Sequence, residues 1–220
     1  MRAAGWVDRL GGRFSAELGI DLAADREAEI TKWFLAAILF GARISKVIAA
    51  NTYRAFERAG VLTPQQIMQT GWDGLVRILD AGGYVRYDFK TATKLLDVFG
   101  ALRNRYGTLE TLHAVAANAR DLENRLKGLG KGVGEVTVGI FLREMRGVWE
   151  KAQPPLSPPA IAAAKDLGLL APPIEDPQAA LGLLMEHWIR DGGNRRSFAD
   201  FEAALVRHGL ALRHRHRRSP

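Results

Sequence analysis

Apolar residues in this chain recur at three- and four-residue steps almost from end to end. No segment between turn residues alternates apolar with polar side chains as a half-buried strand would. The pattern confines the fold to packed helices, and we read the chain as all-α. Ile30, Trp33, Phe34, Ala37 and Ile38 are the clearest case, falling on one face of a core helix that Gly41 should stop. A second helix is expected over Ser45–Arg58. Thr63-Pro64 then opens a third, with the threonine as its cap and the proline at its first position. Gly82-Gly83 breaks the pattern before a basic helix from Lys90 to Arg105.

The chain has 220 residues, 47% of them hydrophobic and 25% charged, enough to bury one sizeable core or two small ones. Pro154-Pro155, Pro158-Pro159 and Pro172-Pro173 change its character after Glu150, which we read as a lobe boundary. The expected organisation is an N-terminal helix in 1–29 packing with the C-terminal lobe, a lobe over 30–150, a C-terminal helical lobe over 151–212 and a basic tail over 213–220. That tail carries four arginines and two histidines between Arg213 and Arg218 and is expected to be mobile, either merely solvated or in contact with nucleic acid.

The absence of cysteine excludes disulfides, thiolate zinc sites and cysteine-ligated iron-sulfur clusters. A formal net charge of +7 favours an anionic partner, although solubility alone would also be served by it. Arg9, Arg13 and Glu17 interrupt any apolar run at the N-terminus and no stretch reaches membrane-spanning length, so no membrane partner and a cytoplasmic location are expected.

Residues 118–148 are the most informative. A polar helix through Asp121, Glu123 and Arg125 leads into Leu126-Lys127-Gly128-Leu129-Gly130-Lys131-Gly132, and a second helix follows with Val133, Val136, Thr137, Ile140 and Phe141 as its apolar stripe. Gly128 and Gly130 are expected to take positive φ and bring the backbone close to a phosphate. The N-terminus of the second helix would offer free N–H groups, and Lys127 and Lys131 would add charge. Taken alone, such a turn serves equally well as a plain connector.

Leu126-Lys-Gly-Leu-Gly-Lys resembles the Leu-Pro-Gly-Val-Gly-Arg hairpin of endonuclease III-like members of the helix-hairpin-helix (HhH-GPD) DNA glycosylase superfamily. Other segments are similar in the same order. Phe34-Leu-Ala-Ala-Ile-Leu looks like the family's first core helix, Leu62-Thr-Pro-Gln-Gln-Ile like its Thr-Pro turn, and Ala81-Gly-Gly-Tyr like its glycine loop. The segment from Ser157 to Leu169 is similar to the one that ordinarily starts with the catalytic aspartate. The resemblance spans roughly residues 30 to 170, and the order of segments carries more weight than any one of them.

The resemblance implies two helical lobes holding double-stranded DNA across a cleft, with a base flipped out of the stack because its glycosidic carbon cannot be reached inside a duplex. It implies a monomer associated with the nucleoid, and a structural Na+ or K+ held by the backbone carbonyls of Asn124, Leu126 and Leu129. Arg43 and Tyr84 fall at the loops where the family inserts wedges into DNA, and Tyr87 and Phe89 are further stacking candidates. Trp33, within an apolar stripe, reads as core.

Two positions depart from the family. Gly132 stands where bifunctional members carry a Schiff-base lysine, and Lys131 is rotated from that place by about 100 degrees on a helix, so Lys131 reads as a phosphate contact. Ser157 stands where the aspartate stabilises positive charge on the sugar; it should still cap its helix, but it brings no charge. Glu144 and Glu150 are the carboxylates that could replace it. Glu144 lies on the apolar stripe, where a buried ion pair with Arg143, Arg146 or an arginine from another helix is the alternative. For Glu150 the alternative is an exposed loop acid. These features imply a monofunctional DNA glycosylase of base excision repair that needs no cofactor for its chemistry. A non-catalytic DNA-binding protein is the alternative, and a helical interaction scaffold is a third if the hairpin is accidental.

Overall fold

A computed structural model describes residues 3–24, 27–171 and 173–216. Among them all regular structure is helical and no strand forms, one isolated bridge between Arg146 and Trp149 apart. In chain order the helices are α1 (Ala3–Leu10), α2 (Phe14–Glu17), a 3-10 turn at Leu22–Ala24, α3 (Glu27–Phe40), α4 (Lys46–Arg58), α5 (Pro64–Ala81) and α6 (Asp88–Arg105). There follow α7 (Leu109–Val115), α8 (Ala119–Lys127), α9 (Glu135–Met145), α10 (Pro158–Asp166), α11 (Pro177–Arg190) and α12 (Phe198–His216). No helix among the described residues is long and apolar enough to cross a membrane.

The chain forms two compact units, one of residues 17–141 and one of residues 1–16 with 142–220. These divisions fall at 16/17 and 141/142, whereas the sequence pattern placed them at 29/30 and 150/151. The reason is electrostatic. The last turn of α9 and the residue after it carry Glu144 and Arg146, which find their partners in Phe14, Ser15 and Glu202, so the chain changes unit inside a helix and the prolines mark only a loop.

In the unit 17–141, α3 is buried over every residue from Glu29 to Leu39 except Lys32. The single stripe read from the sequence therefore understates it, because Leu35, Ala36 and Leu39 pack on the other side. Phe34 meets Phe99 of α6 and Phe141 of α9 edge to face, at 5.9 and 5.1 Å between centroids. The Trp33 indole donates to the Phe141 carbonyl at 3.1 Å. Glu27, at the start of α3, accepts from the first N–H groups of α7, those of Leu109 and Glu110, at 3.0 and 2.9 Å. Gly41 ends the helix where Thr137 of α9 packs so closely that a Cβ would collide with its hydroxyl. Thr63 caps α5 as the sequence suggests, in a reciprocal box with Gln66 and with Pro64 at the first position. The same helix is kinked at Gly71, whose φ of 67° only glycine adopts cheaply, a feature the sequence reading did not anticipate.

In the other unit the first sixteen residues are tied to the C-terminal helices. The Ala3 N–H donates to Asp191 at 2.6 Å, the Arg13 N–H to Asp200 at 3.1 Å, and Arg207 to the Gly12 carbonyl at 2.9 Å. Glu144, wholly buried, accepts from the Phe14 and Ser15 N–H groups at 2.8 and 2.9 Å and so caps α2. The Arg143 guanidinium lies 3.9 Å from the same carboxylate and 5.5 Å over the Phe14 ring, whose centroid is also 3.9 Å from the Arg207 guanidinium carbon. A second buried pair, Arg146 and Glu202 at 3.0 Å, is completed by Arg146 donating to the Pro154 carbonyl at 2.7 Å. The expected mobile tail is in part helix: α12 continues to His216 and carries Arg213 and Arg215, because Arg is a good helix former and cations favour a helix C-terminus. Residues 217–220 lie outside the described residues.

Removing one member of a buried charge network leaves the others desolvated and unpaired. Glu144→Ala should therefore lower unfolding free energy by about 3–5 kcal/mol, read as a fall in the denaturant midpoint. A loss below about 1 kcal/mol would mean that this carboxylate does not hold the N-terminal segment in place.

Candidate functional site

Helices α8 and α9 are joined by residues 128–134, which form the expected hairpin but not with the expected backbone. Gly128 is right-handed at φ −72° and Gly130 is not in the left-handed region; positive φ occurs at Gly132, at 94°. The difference has a packing cause. Gly130 serves close approach to α6, Gly128 contributes its carbonyl to Arg105, and the reversal of direction falls at Gly132. As a result α9 begins only at Glu135, and its buried face is Thr137, Val138, Phe141 and Leu142, while Val136 of the expected stripe is 65% exposed.

One face of α6 runs along the hairpin in step with its glycines. Arg105 donates to the Gly128 carbonyl at 2.9 Å. A Cβ on Gly130 would come within 2.8 Å of Val98 Cγ2 and 3.5 Å of the Val98 backbone nitrogen. A Cβ on Gly132 would come within 2.7 Å of Lys94 Cε and 3.3 Å of its Nζ. Lys94, Val98 and Arg105 are four and seven residues apart, which places them within about 40° of one another around the helix, so one face of α6 meets all three glycines. Leu122, Leu126, Leu129 and Val133 are buried beneath the turn and anchor it.

The charges around the hairpin are not equivalent. Lys127 is shared by Glu123 at 3.9 Å and Glu135 at 3.6 Å, and Glu135 stands in the first turn of α9, where it offsets the anion-attracting end of the helix. Lys131 is exposed, with no hydrogen bond or ion pair among the described residues, and presents its whole charge to solvent. Asn124 and Leu126, two of the three carbonyls expected to hold a cation, already accept from the Gly128 and Leu129 N–H groups at 2.9 and 3.2 Å. Each keeps a second lone pair, so carbonyl ligation of Na+ or K+ at this turn fits the donor chemistry present.

Other candidates from the sequence fall differently. Arg43 is exposed, and Tyr87 is half-buried with the Arg86 guanidinium 5.4 Å from its ring centroid. Tyr84 is corrected: it is wholly buried and donates its hydroxyl to the Leu39 carbonyl at 2.8 Å, so it is a core residue and no wedge. The Gly82-Gly83 turn, where a Cβ on Gly82 would collide with Thr52, brings it inward. Burial accordingly pushes its phenol far above the usual range. Phe89 is 58% exposed and packs on Trp72, with their centroids 5.2 Å apart, and the Trp72 indole donates to Thr93 at 3.1 Å.

Glu144, Glu150 and Ser157 belong to the other unit. Both Glu144 oxygens are taken by backbone N–H groups; burial pushes its carboxyl upward while Arg143 and those N–H groups pull it back. That is the ion-pair alternative, with Arg143 as partner, and it ties Glu144 to the fold. Glu150 is an exposed turn residue. Ser157 does not cap α10 as expected: its Oγ is buried with no hydrogen-bond partner. Pro158 and Pro159 occupy the first two helical positions and have no N–H to give, which removes one of the two donors a cap uses.

Sequence reading missed Lys94, Val98 and Arg105 as partners of the hairpin. The signal was present in their spacing, which places all three on one face of α6 opposite alternate glycines. No family model, curated protein or solved structure matches the chain.

Gly132→Ala should cost about 1–2 kcal/mol, because an L side chain at that φ is strained and displaces Lys94. Gly134→Ala, with open space at its Cβ, should be neutral or mildly stabilising. Equal denaturant midpoints for the two variants would contradict the register described.

Proposed function

We propose that the chain is a DNA glycosylase of the HhH-GPD kind, which grips duplex DNA through the hairpin at 128–134 and releases a damaged or mismatched base by hydrolysis. The observation that carries the reading is the hairpin itself. Its glycine backbone is clamped against α6 by Arg105 and Val98, while Gly132 and Lys131 are exposed and Lys131 has no acidic partner among the described residues. A fixed turn whose glycines leave backbone uncovered beside Lys131 suits a phosphate, which needs both close approach and charge. The net charge of +7 and the order of segments shared with that superfamily support the same reading.

In this reading Lys127, Gly128, Gly130 and Lys131 hold the DNA backbone, with a monovalent cation on the carbonyls of Asn124, Leu126 and Leu129 adding positive charge at the phosphate. Arg43, Tyr87 and Phe89 are the exposed or half-exposed groups left to touch bases. Base loss builds positive charge on the sugar, and a carboxylate lowers the barrier. Glu144 is committed to α2, which leaves Glu150 as the acid for that role.

A second reading, a DNA-binding protein without base-releasing chemistry, is favoured by one specific fact: neither Glu144 nor Ser157 presents a free carboxylate. Incubation with duplexes bearing single lesions or mismatches, followed by chromatography of released bases, separates the two. We expect release from at least one duplex. Binding with no release from any would leave the second reading, and absence of binding would sink both. Lys131→Glu should weaken all duplexes alike and flatten the dependence of affinity on salt by about one unit of slope. Unchanged affinity at low salt would remove the hairpin from the contact.

A further inference from the structure

Phe89, Thr93, Leu96 and Gly100 fall on a second face of α6, about 150 degrees around the helix from the residues that meet the hairpin. Together with α5 this face forms an apolar shelf open to water. Phe89 is 58% and Trp72 40% exposed, and the two rings pack on each other while the Trp72 indole is held by Thr93. Trp72 follows directly on the kink at Gly71. At the other end of the shelf Met68 lies over Gly100, with its methyl carbon 3.6 Å from where a Cβ would stand, and Leu96 is half-exposed. A contiguous apolar surface with a polar rim marks a place where another molecule packs.

The rim selects the occupant. Lys90 and Asp97 are both exposed, and neither has an ion-pair partner among the described residues. They are seven residues apart, so they lie within about 20 degrees of each other along one edge of the shelf. Asp73, next to Trp72, is exposed as well. Two acids and one lysine do not suit a phosphate backbone. They do suit the shelf itself. A two-fold axis crossing α6 midway between Lys90 and Asp97 sets two copies of the helix antiparallel, with Lys90 of each opposite Asp97 of the other. Phe89 then falls between Leu96 and Gly100 of the second copy, where the missing side chain leaves room for a ring. Every contact is made twice, as an isologous interface requires.

We propose that the α5–α6 shelf is a homodimer interface on which a second copy of this chain packs, α6 antiparallel to α6. The proposal departs from the monomer that the family resemblance implies and does not rest on the function proposed above. It covers Phe89, which leaves Arg43 and Tyr87 to touch bases in that function. The shelf is small beside a standard interface, so the dimer is a weak one, with a dissociation constant on the order of 10 μM.

Sedimentation velocity of the full chain without DNA, from about 1 to 200 μM, tests this over the range such a constant requires. We expect the sedimentation coefficient to rise with concentration from that of a monomer to that of a dimer. Phe89→Ser should weaken association by at least about ten-fold, since it removes a large ring from both halves of the interface. Lys90→Glu and Asp97→Lys each set like charges opposite one another twice across the axis, and each should weaken it by about five-fold. The double variant, which has the net charge of the parent, should recover the parent's association. A monomer at every concentration, a dimer that none of these variants weakens, or a double variant no better than the single ones would overturn the proposal. The measurement contains no DNA, so none of these outcomes bears on the proposed function.

Discussion

The hairpin can lie along α6 because two of its residues, Gly130 and Gly132, lack side chains where the helix comes closest. Gly130 and Gly132 each sit where a Cβ would enter the space of Val98 or Lys94, and Gly128 offers its carbonyl to Arg105. One helix face therefore fixes three points of the turn, and the cost of ordering so glycine-rich a segment is met by contact on its inner side. The outer side is left as bare backbone with Lys131 beside it. That division of the turn into a packed side and a bare side is what a phosphate seat requires.

In the other unit, charge does the work that apolar burial does around α3. Glu144 and Glu202 are both wholly buried, and each answers an arginine close to it in space: Arg143 for the first and Arg146 for the second. Such pairs contribute little net stability because desolvation offsets attraction, but they specify which segments meet. Here they select the Phe14 turn and α12 as the neighbours of the end of α9. A carboxylate used in this way is withdrawn from chemistry, which separates holding the fold from acting on a substrate and leaves catalysis to groups that remain accessible.

Helix existence was legible in the sequence because periodicity and caps are local: Thr63 with Gln66 and Pro64, Ser45 before α4 and Gly41 after α3 all mark ends that the structure shows. What escaped depends on which residues meet. Tyr84 reads as a loop aromatic until the Gly82-Gly83 turn is seen to press on Thr52 and send the ring under α3 toward the Leu39 carbonyl. Ser157 reads as a cap until Pro159, at the second helical position, is counted as a missing donor. The glycines of the hairpin were legible as a turn, but their separate duties were not, since the choice between close approach and positive φ depends on α6. The prolines after Glu150 mark a loop, and although Glu144 on its apolar stripe reads as a buried charge, its partners at Phe14 and Ser15 lie far along the chain and only the fold brings them to it.

The central claim is that the outer side of residues 128–134 meets DNA. Hydrogen–deuterium exchange with and without a duplex tests it most directly, because backbone amides at the hairpin would be shielded where phosphate and close packing replace water. The account predicts slowed exchange concentrated over 128–134 and the first turn of α9. Duplex binding that leaves those amides unchanged while protecting another surface would contradict it.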